Sequence, residues 1–124
     1  TQDSSSAASD VYKRQRDDHT KNVSFIMDTQ GVWQLSPAYD ITFAFDPTNK
    51  WLKAHQLSVN GKRTNIEKKD LVTVAKKMNI KKTEQIIAQV VETVNHWPDF
   101  AKDAGVEATQ IKAISNTYRL KPFV

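Results

Sequence analysis

The stretch Asp17-Asp18-His19-Thr20-Lys21-Asn22, taken with Pro37-Ala38-Tyr39-Asp40, decides how the rest of this chain is read. A carboxylate at Asp17 followed five positions later by a carboxamide at Asn22 fits a phosphoryl-transfer loop. In such a loop the carboxylate orients or deprotonates a hydroxyl, and the amide oxygen holds a metal ion. Asp40 supplies a second carboxylate, suited to holding Mg²⁺ against nucleotide phosphates. Between the two stretches lie Val23-Ser24-Phe25-Ile26-Met27, then Asp28-Thr29-Gln30-Gly31, then Val32-Trp33-Gln34-Leu35. Two short apolar runs around a Gly-containing turn predict a β-hairpin. A hairpin brings its ends together, so Asn22 and Asp40 are expected to share one ion.

Downstream, Ser36-Pro37 ends the second strand and an apolar segment opens at Asp40-Ile41-Thr42-Phe43-Ala44-Phe45. Asp46-Pro47-Thr48-Asn49 is a turn signal. Trp51-Leu52 and Leu57-Ser58-Val59 are candidates for a short hairpin, with Asn60-Gly61 as turn residues and Lys62-Arg63-Thr64 outgoing. Residues 65–79 predict a helix with Leu71, Val72, Ala75 and Met78 on one face and lysines mostly opposite. Residues 80–97 predict the strongest helix. Its apolar stripe is Ile86, Ile87, Val90, Val91, Val94 and Trp97. Pro98 must stop or kink it, since proline lacks the N–H and clashes with the preceding turn. A short helix restarts at Pro98 and ends at Gly105. A last helix runs over residues 107–118, with Ile111, Ile114 and Tyr118 inward. The fold class is therefore α+β: hairpins at the active-site end, then a mainly helical bundle.

The composition narrows the class further. The chain has 124 residues, enough for one domain with a modest core. It has no cysteine, which excludes disulfides and thiolate metal sites. No stretch approaches the ~20 apolar residues of a membrane helix, so no membrane role is expected. The net charge is +4, and much of the excess sits in Lys68-Lys69, Lys76-Lys77 and Lys81-Lys82. These pairs read as a solvated helix face, or alternatively as a footprint for nucleic acid or an acidic protein. Residues 5–15, Ser-Ser-Ala-Ala-Ser-Asp-Val-Tyr-Lys-Arg-Gln, match the translation of a transposon-type sequencing adapter. We therefore expect residues 1–15 to be disordered and adapter-derived, and residues 16–124 to be the native partial domain.

Asp-Asp-His-Thr-Lys-Asn-Val-Ser-Phe, followed by Trp-Gln-Leu-Ser-Pro-Ala-Tyr-Asp, resembles the catalytic segment of the HipA-type toxin kinases. His55-Gln56-Leu57-Ser58-Val59-Asn60-Gly61-Lys62 and the Trp97-Pro98 helix resemble that family's C-terminal half. The resemblance implies the C-terminal lobe of a protein-kinase-like fold, without its N-terminal lobe. It implies a cytoplasmic serine/threonine kinase that transfers the γ-phosphoryl of ATP to a protein hydroxyl. Such enzymes are toxins of bacterial toxin–antitoxin pairs. The implied partners are a helix-turn-helix antitoxin, DNA reached through that antitoxin, and a protein substrate such as an aminoacyl-tRNA synthetase or another translation factor.

On this reading Asp17 is the catalytic base, although alone it reads equally as a turn or capping residue. Asn22 and Asp40 are the Mg²⁺ ligands, with strand capping as the plain alternative for Asn22. By family likeness His19 and Lys21 face the nucleotide, Lys21 as a point charge for phosphate. Tyr39 lines the nucleotide pocket or packs in the core. Asp18 reads as a loop residue, and Trp33, Trp51 and Trp97 as core or sub-core aromatics. The chain has only Gly31, Gly61 and Gly105, with no Gly-x-Gly-x-x-Gly or P-loop pattern. These residues alone are therefore expected to be inactive. A helical protein- or DNA-binding module is the alternative function. A small ATP-grasp or aminoglycoside-phosphotransferase-like relative is a third, since both also use an Asp…Asn…Asp trio.

Overall fold

The computed structural model describes residues 14–123. Its order is a single 3-10 turn (Thr20–Asn22), strands β1 (Phe25–Met27) and β2 (Trp33–Leu35), helices α1 (Lys68–Lys77), α2 (Thr83–Asn95), α3 (Trp97–Asp103) and α4 (Ala108–Ser115), and a terminal 3-10 turn (Lys121–Phe123). This is the expected α+β arrangement of hairpin followed by helices. No helix among the described residues is long and apolar enough to cross a membrane.

The hairpin forms where the turn chemistry placed it. β1 and β2 pair antiparallel with Phe25 opposite Leu35, Ile26 opposite Gln34 and Met27 opposite Trp33. The Asp28 side chain shapes the turn, its Oδ1 accepting the Gln30 N–H at 2.8 Å and the Val32 N–H at 2.9 Å. Gly31 takes φ +83°, a conformation that costs glycine little. Below the strands, the Ser36 N–H reaches the Ser24 carbonyl at 2.9 Å, and Ser24 Oγ donates to Ser36 Oγ at 2.9 Å. These bonds extend the zipper to the foot of the hairpin, beside Asn22. Both faces of the strands stay open, with Phe25 61% and Trp33 65% exposed. Trp33 and Trp51 are thus surface residues, contrary to the core role expected of them.

The helices carry the core. Ile66, Leu71, Ile87, Val91, Val94 and Phe123 form its buried cluster, with Val59, Val72, Val90, Tyr118 and Leu120 packed against it. The α2 stripe is buried at Ile87, Val91 and Val94, as its spacing requires. Helix boundaries are tighter than expected. α1 starts three residues late because Asn65 adopts φ +49° and the extended Glu67 caps the helix, dropping Ile66 into the core. It ends early in a Schellman turn. Asn79 at φ +54° lets its N–H reach Lys76 O and the Ile80 N–H reach Ala75 O. Met78, expected on the buried face, sits at the cap beyond the helical period and is 61% exposed. Lys82 at φ +59° delays α2 to Thr83. Pro98 stands in the first turn of α3, and Gly105 closes α3 with a second Schellman turn.

Two expectations fail. The hairpin of Trp51-Leu52 with residues 57–59 does not form. Only the tight turn survives, with Asn60 and Gly61 both at positive φ and Val59 bridging Lys62. Residues 1–13 of the segment expected to be disordered lie outside the described residues, but Arg14 and Gln15 are packed. Gln15 is 1% exposed because its amide satisfies polar groups on both sides.

Asp70 anchors the start of α1. Its carboxylate accepts from Lys62 Nζ at 2.8 Å, Asn60 Nδ2 at 3.1 Å and the Glu67 N–H at 2.9 Å. Burial opposes ionisation, but these bonds outweigh it and bring the carboxyl pKa down to about 2. A depressed carboxyl pKa stabilises the fold above the unfolded value of 3.8, and this contribution fades as pH falls towards 2. Asp70→Asn is expected to cost about 2–3 kcal/mol in urea unfolding at pH 7. Its stability should also lose less than the parent's between about pH 4 and 2.

Candidate functional site

The loop before the hairpin and the segment after it converge at the hairpin's foot. Asn22 ends the 3-10 turn, whose Asn22 N–H bonds His19 O at 3.0 Å. Its Nδ2 donates to Asp40 Oδ2 at 2.9 Å and to the Asp17 carbonyl at 3.3 Å. Tyr39 Oη donates to the Lys21 carbonyl at 2.5 Å, tying the two segments together a second time. Asp40 holds φ +54°, a left-handed conformation that Asp tolerates better than most residues. Gln15 supports it there. Gln15 Nε2 donates to the Asp40 carbonyl at 2.9 Å and to Thr42 Oγ1 at 3.0 Å, and Gln15 Oε1 accepts the Asp17 N–H at 3.3 Å. Backbone strain of this kind persists where surrounding bonds over-determine it.

Asn22 and Asp40 therefore meet side chain to side chain, while Asp17 joins them through its main chain. The Asp17 carboxylate is exposed and makes no hydrogen bond among the described residues. His19 is half-buried, and its Nδ1 has no partner. Lys21 is exposed, its carbonyl engaged by Tyr39. Tyr39 is 42% exposed, so it is a tie between loops rather than a core residue.

The Asn22–Asp40 pair suits a hard cation. Mg²⁺ takes one or two protein oxygens and completes its shell with water and phosphate. Asp40 offers a carboxylate oxygen. Asn22 presents its amide nitrogen to Asp40, and a half-turn of the amide puts its oxygen in the same place. The donor chemistry fits, and no third His, Cys, Asp or Glu converges on it among the described residues.

Two residues of the site carried no sequence signal for their role. Asp18, read as a loop residue, is 8% exposed. Its Oδ2 lies 3.2 Å from His55 Nδ1, its Oδ1 accepts the Gln56 N–H at 2.8 Å, and its carbonyl accepts the Leu57 N–H at 3.2 Å. This clasp fixes the loop that displays Asp17 to a segment 37 residues away. Gln15 is the other residue, set aside with the adapter-like run.

A family model described as the HipA-like C-terminal domain matches residues 6–98. The chain belongs to the HipA-like C-terminal domain family. The match covers the loop, the hairpin, α1 and α2 of this HipA-like domain, and it starts inside the adapter-like run. Neither curated proteins nor solved structures give a match to the chain.

The two adjacent aspartates of the HipA-like domain should separate cleanly. Asp18→Ala leaves the Gln56 N–H and the His55 ring without their acceptor, and is expected to cost about 2–4 kcal/mol in urea unfolding. Asp17→Asn, at an exposed carboxylate, should stay within about 0.5 kcal/mol of the parent.

Proposed function

We propose that this HipA-like domain is the catalytic and metal-holding part of a serine/threonine protein kinase of the toxin–antitoxin class. The observation that carries the reading is the 2.9 Å meeting of Asn22 and Asp40 beside Asp17, in a chain of this family. Asp17 is the base: exposed, held by its N–H and carbonyl, with its carboxylate free to accept a proton from a substrate hydroxyl. Asn22 and Asp40 hold Mg²⁺, which when bound neutralises charge on the phosphates of ATP. Lys21 adds a positive charge on the same loop, and His19 a ring nitrogen without a competing partner. Tyr39 keeps the Asp40 segment against the loop, so both ligands hold their spacing through the reaction.

The implied setting is the cytoplasm. The implied partners are ATP, a hydroxyl-bearing protein such as an aminoacyl-tRNA synthetase or another translation factor, and a helix-turn-helix antitoxin that reaches DNA. A second reading, a helical module that docks an antitoxin or DNA, draws on Lys76, Lys77, Lys81 and Lys82. All four are exposed, and none forms an ion pair among the described residues. Lys68 and Lys69, by contrast, pair with Glu84 and Glu67. Salt-sensitive DNA binding by this chain, lost on replacing those four lysines, would favour the second reading.

The kinase reading is tested in a full-length protein that carries this domain. Asp17→Asn and Asp40→Asn should each lower phosphoryl transfer by at least about 10³-fold while leaving the fold intact by circular dichroism. A fully active Asp40→Asn protein overturns the site assignment. The 124-residue chain by itself has no glycine-rich backbone to cradle phosphates and should show no transfer of ³²P from ATP to protein.

A further inference from the structure

The most unusual electrostatic feature of the molecule lies just before Asp17. Arg16 is 6% exposed, yet its guanidinium makes no hydrogen bond and no ion pair among the described residues, and its buried Nε is unsatisfied. Arg14 lies beside it. The two guanidinium carbons stand 4.6 Å (Arg14) and 4.9 Å (Arg16) from the centroid of one ring, Phe45. Arg119 is the third member, half-buried and also without a hydrogen bond or ion pair among the described residues. Burial depresses the Arg14 pKa to about 10, and repulsion from Arg16 and Arg119 adds to the effect. Arg16 is shifted the same way by burial and then by Arg119, with Asp18 opposing. All three groups remain cationic at neutral pH.

A buried guanidinium without a partner costs several kcal/mol. Contact with the face of Phe45 recovers only about 1–2 kcal/mol of this. The nearby carboxylate, Asp18, is already committed to His55 and the Gln56 N–H. Arg14 has one donor in use, Nε to the Thr117 carbonyl at 2.8 Å. The remaining guanidinium N–H groups of the three side chains form a set of donors with no acceptor. Three converging arginines offer forked donors that match the oxygens of a tetrahedral dianion better than a single carboxylate does.

We propose that Arg16 and Arg119, with Arg14 at the rim, form a binding site for a phosphate group, distinct from the Asn22–Asp40 metal pair. The occupant is either free inorganic phosphate or the phosphomonoester of a phosphorylated serine or threonine. The site sits one residue from Asp17 and reaches the C-terminal Tyr118-Arg119 segment. Tyr118 in turn packs edge-on against Phe43 at 6.4 Å and Trp97 at 5.8 Å. A bound phosphate therefore ties the catalytic loop to the helical bundle by neutralising the charge that otherwise pushes them apart.

The test is a titration of the intact chain with inorganic phosphate, and separately with O-phosphoserine, at constant ionic strength and without Mg²⁺. The readout is the arginine Nε–Hε resonances in ¹⁵N NMR, with thermal unfolding alongside. Saturable shifts of the Arg16 and Arg119 signals and a rise in Tm are expected. Arg119→Gln should weaken binding at least about tenfold. Lys77→Gln, on the exposed lysine face, should leave it unchanged. Tighter binding of O-phosphoserine identifies a phosphorylated side chain as the occupant, and equal or weaker binding identifies free phosphate. Should Arg16→Gln fail to fold, Arg119→Gln alone decides, since Arg119 supports no hydrogen bond in the described residues. Absence of saturable binding by both compounds, or Arg119→Gln binding as tightly as the parent, overturns the proposal.

Discussion

The hydrogen bond from Asn22 to Asp40 is the contact on which the functional geometry rests, and its length of 2.9 Å depends on the hairpin between them. Eighteen residues separate the two side chains in sequence. The strand pairs and the Ser24–Ser36 bonds remove that separation by zipping the chain back on itself. The hairpin itself buries little. A two-stranded ribbon with both faces exposed is marginal in water, so its ends must be held from outside. Gln15 does so for Asp40 and Asp17, the Asp18–His55 clasp for the loop, and Tyr39 for the span between them.

Stability and chemistry are thus supplied by different parts of the chain. Ile87, Val91 and Val94 of α2, with Ile66, Leu71 and Phe123, provide the apolar burial. The loop and hairpin contribute polar groups held in strained or exposed conformations, such as Asp40 at φ +54°. The aromatic chain of Phe43, Tyr118 and Trp97 joins the two halves. Burial pushes the Tyr118 hydroxyl pKa up to about 12, so this link stays neutral over the physiological range. The open apolar surface at Phe25, Met27 and Trp33 lies on the hairpin side, away from the self-sufficient helical core.

Much of this was legible in the residues. Gly31 after Asp28, between apolar triplets, gave the hairpin. The spacing of Ile87, Val91 and Val94 gave α2 and its buried face. Pro98 and Gly105 bounded α3. The Asp17, Asn22 and Asp40 spacing pointed to one site, and Asn22 and Asp40 do touch. What was hidden was long-range or conformational. No local pattern says that Asp18 rather than Asp17 is buried, because its partner His55 is 37 residues away. Left-handed residues at Asn65, Asn79 and Lys82 trimmed the helices, and periodicity is blind to them. Gln15 looked like foreign sequence by composition, yet its amide has the donors and acceptor that two backbone segments require. The amide of Asn22 also turned its nitrogen, not its oxygen, towards Asp40, as it must when the only available partners are acceptors.

That last detail makes the central claim measurable on the chain itself. A divalent ion at the site has to displace the Asn22 N–H₂ from Asp40 and recruit the amide oxygen instead. Mn²⁺, a paramagnetic stand-in for Mg²⁺, should broaden the Asn22 side-chain amide signals first and most strongly in ¹⁵N NMR, and excess Mg²⁺ should restore them. Broadening that spares Asn22, or that is unchanged in Asp40→Asn, would contradict a shared metal site and with it the kinase account.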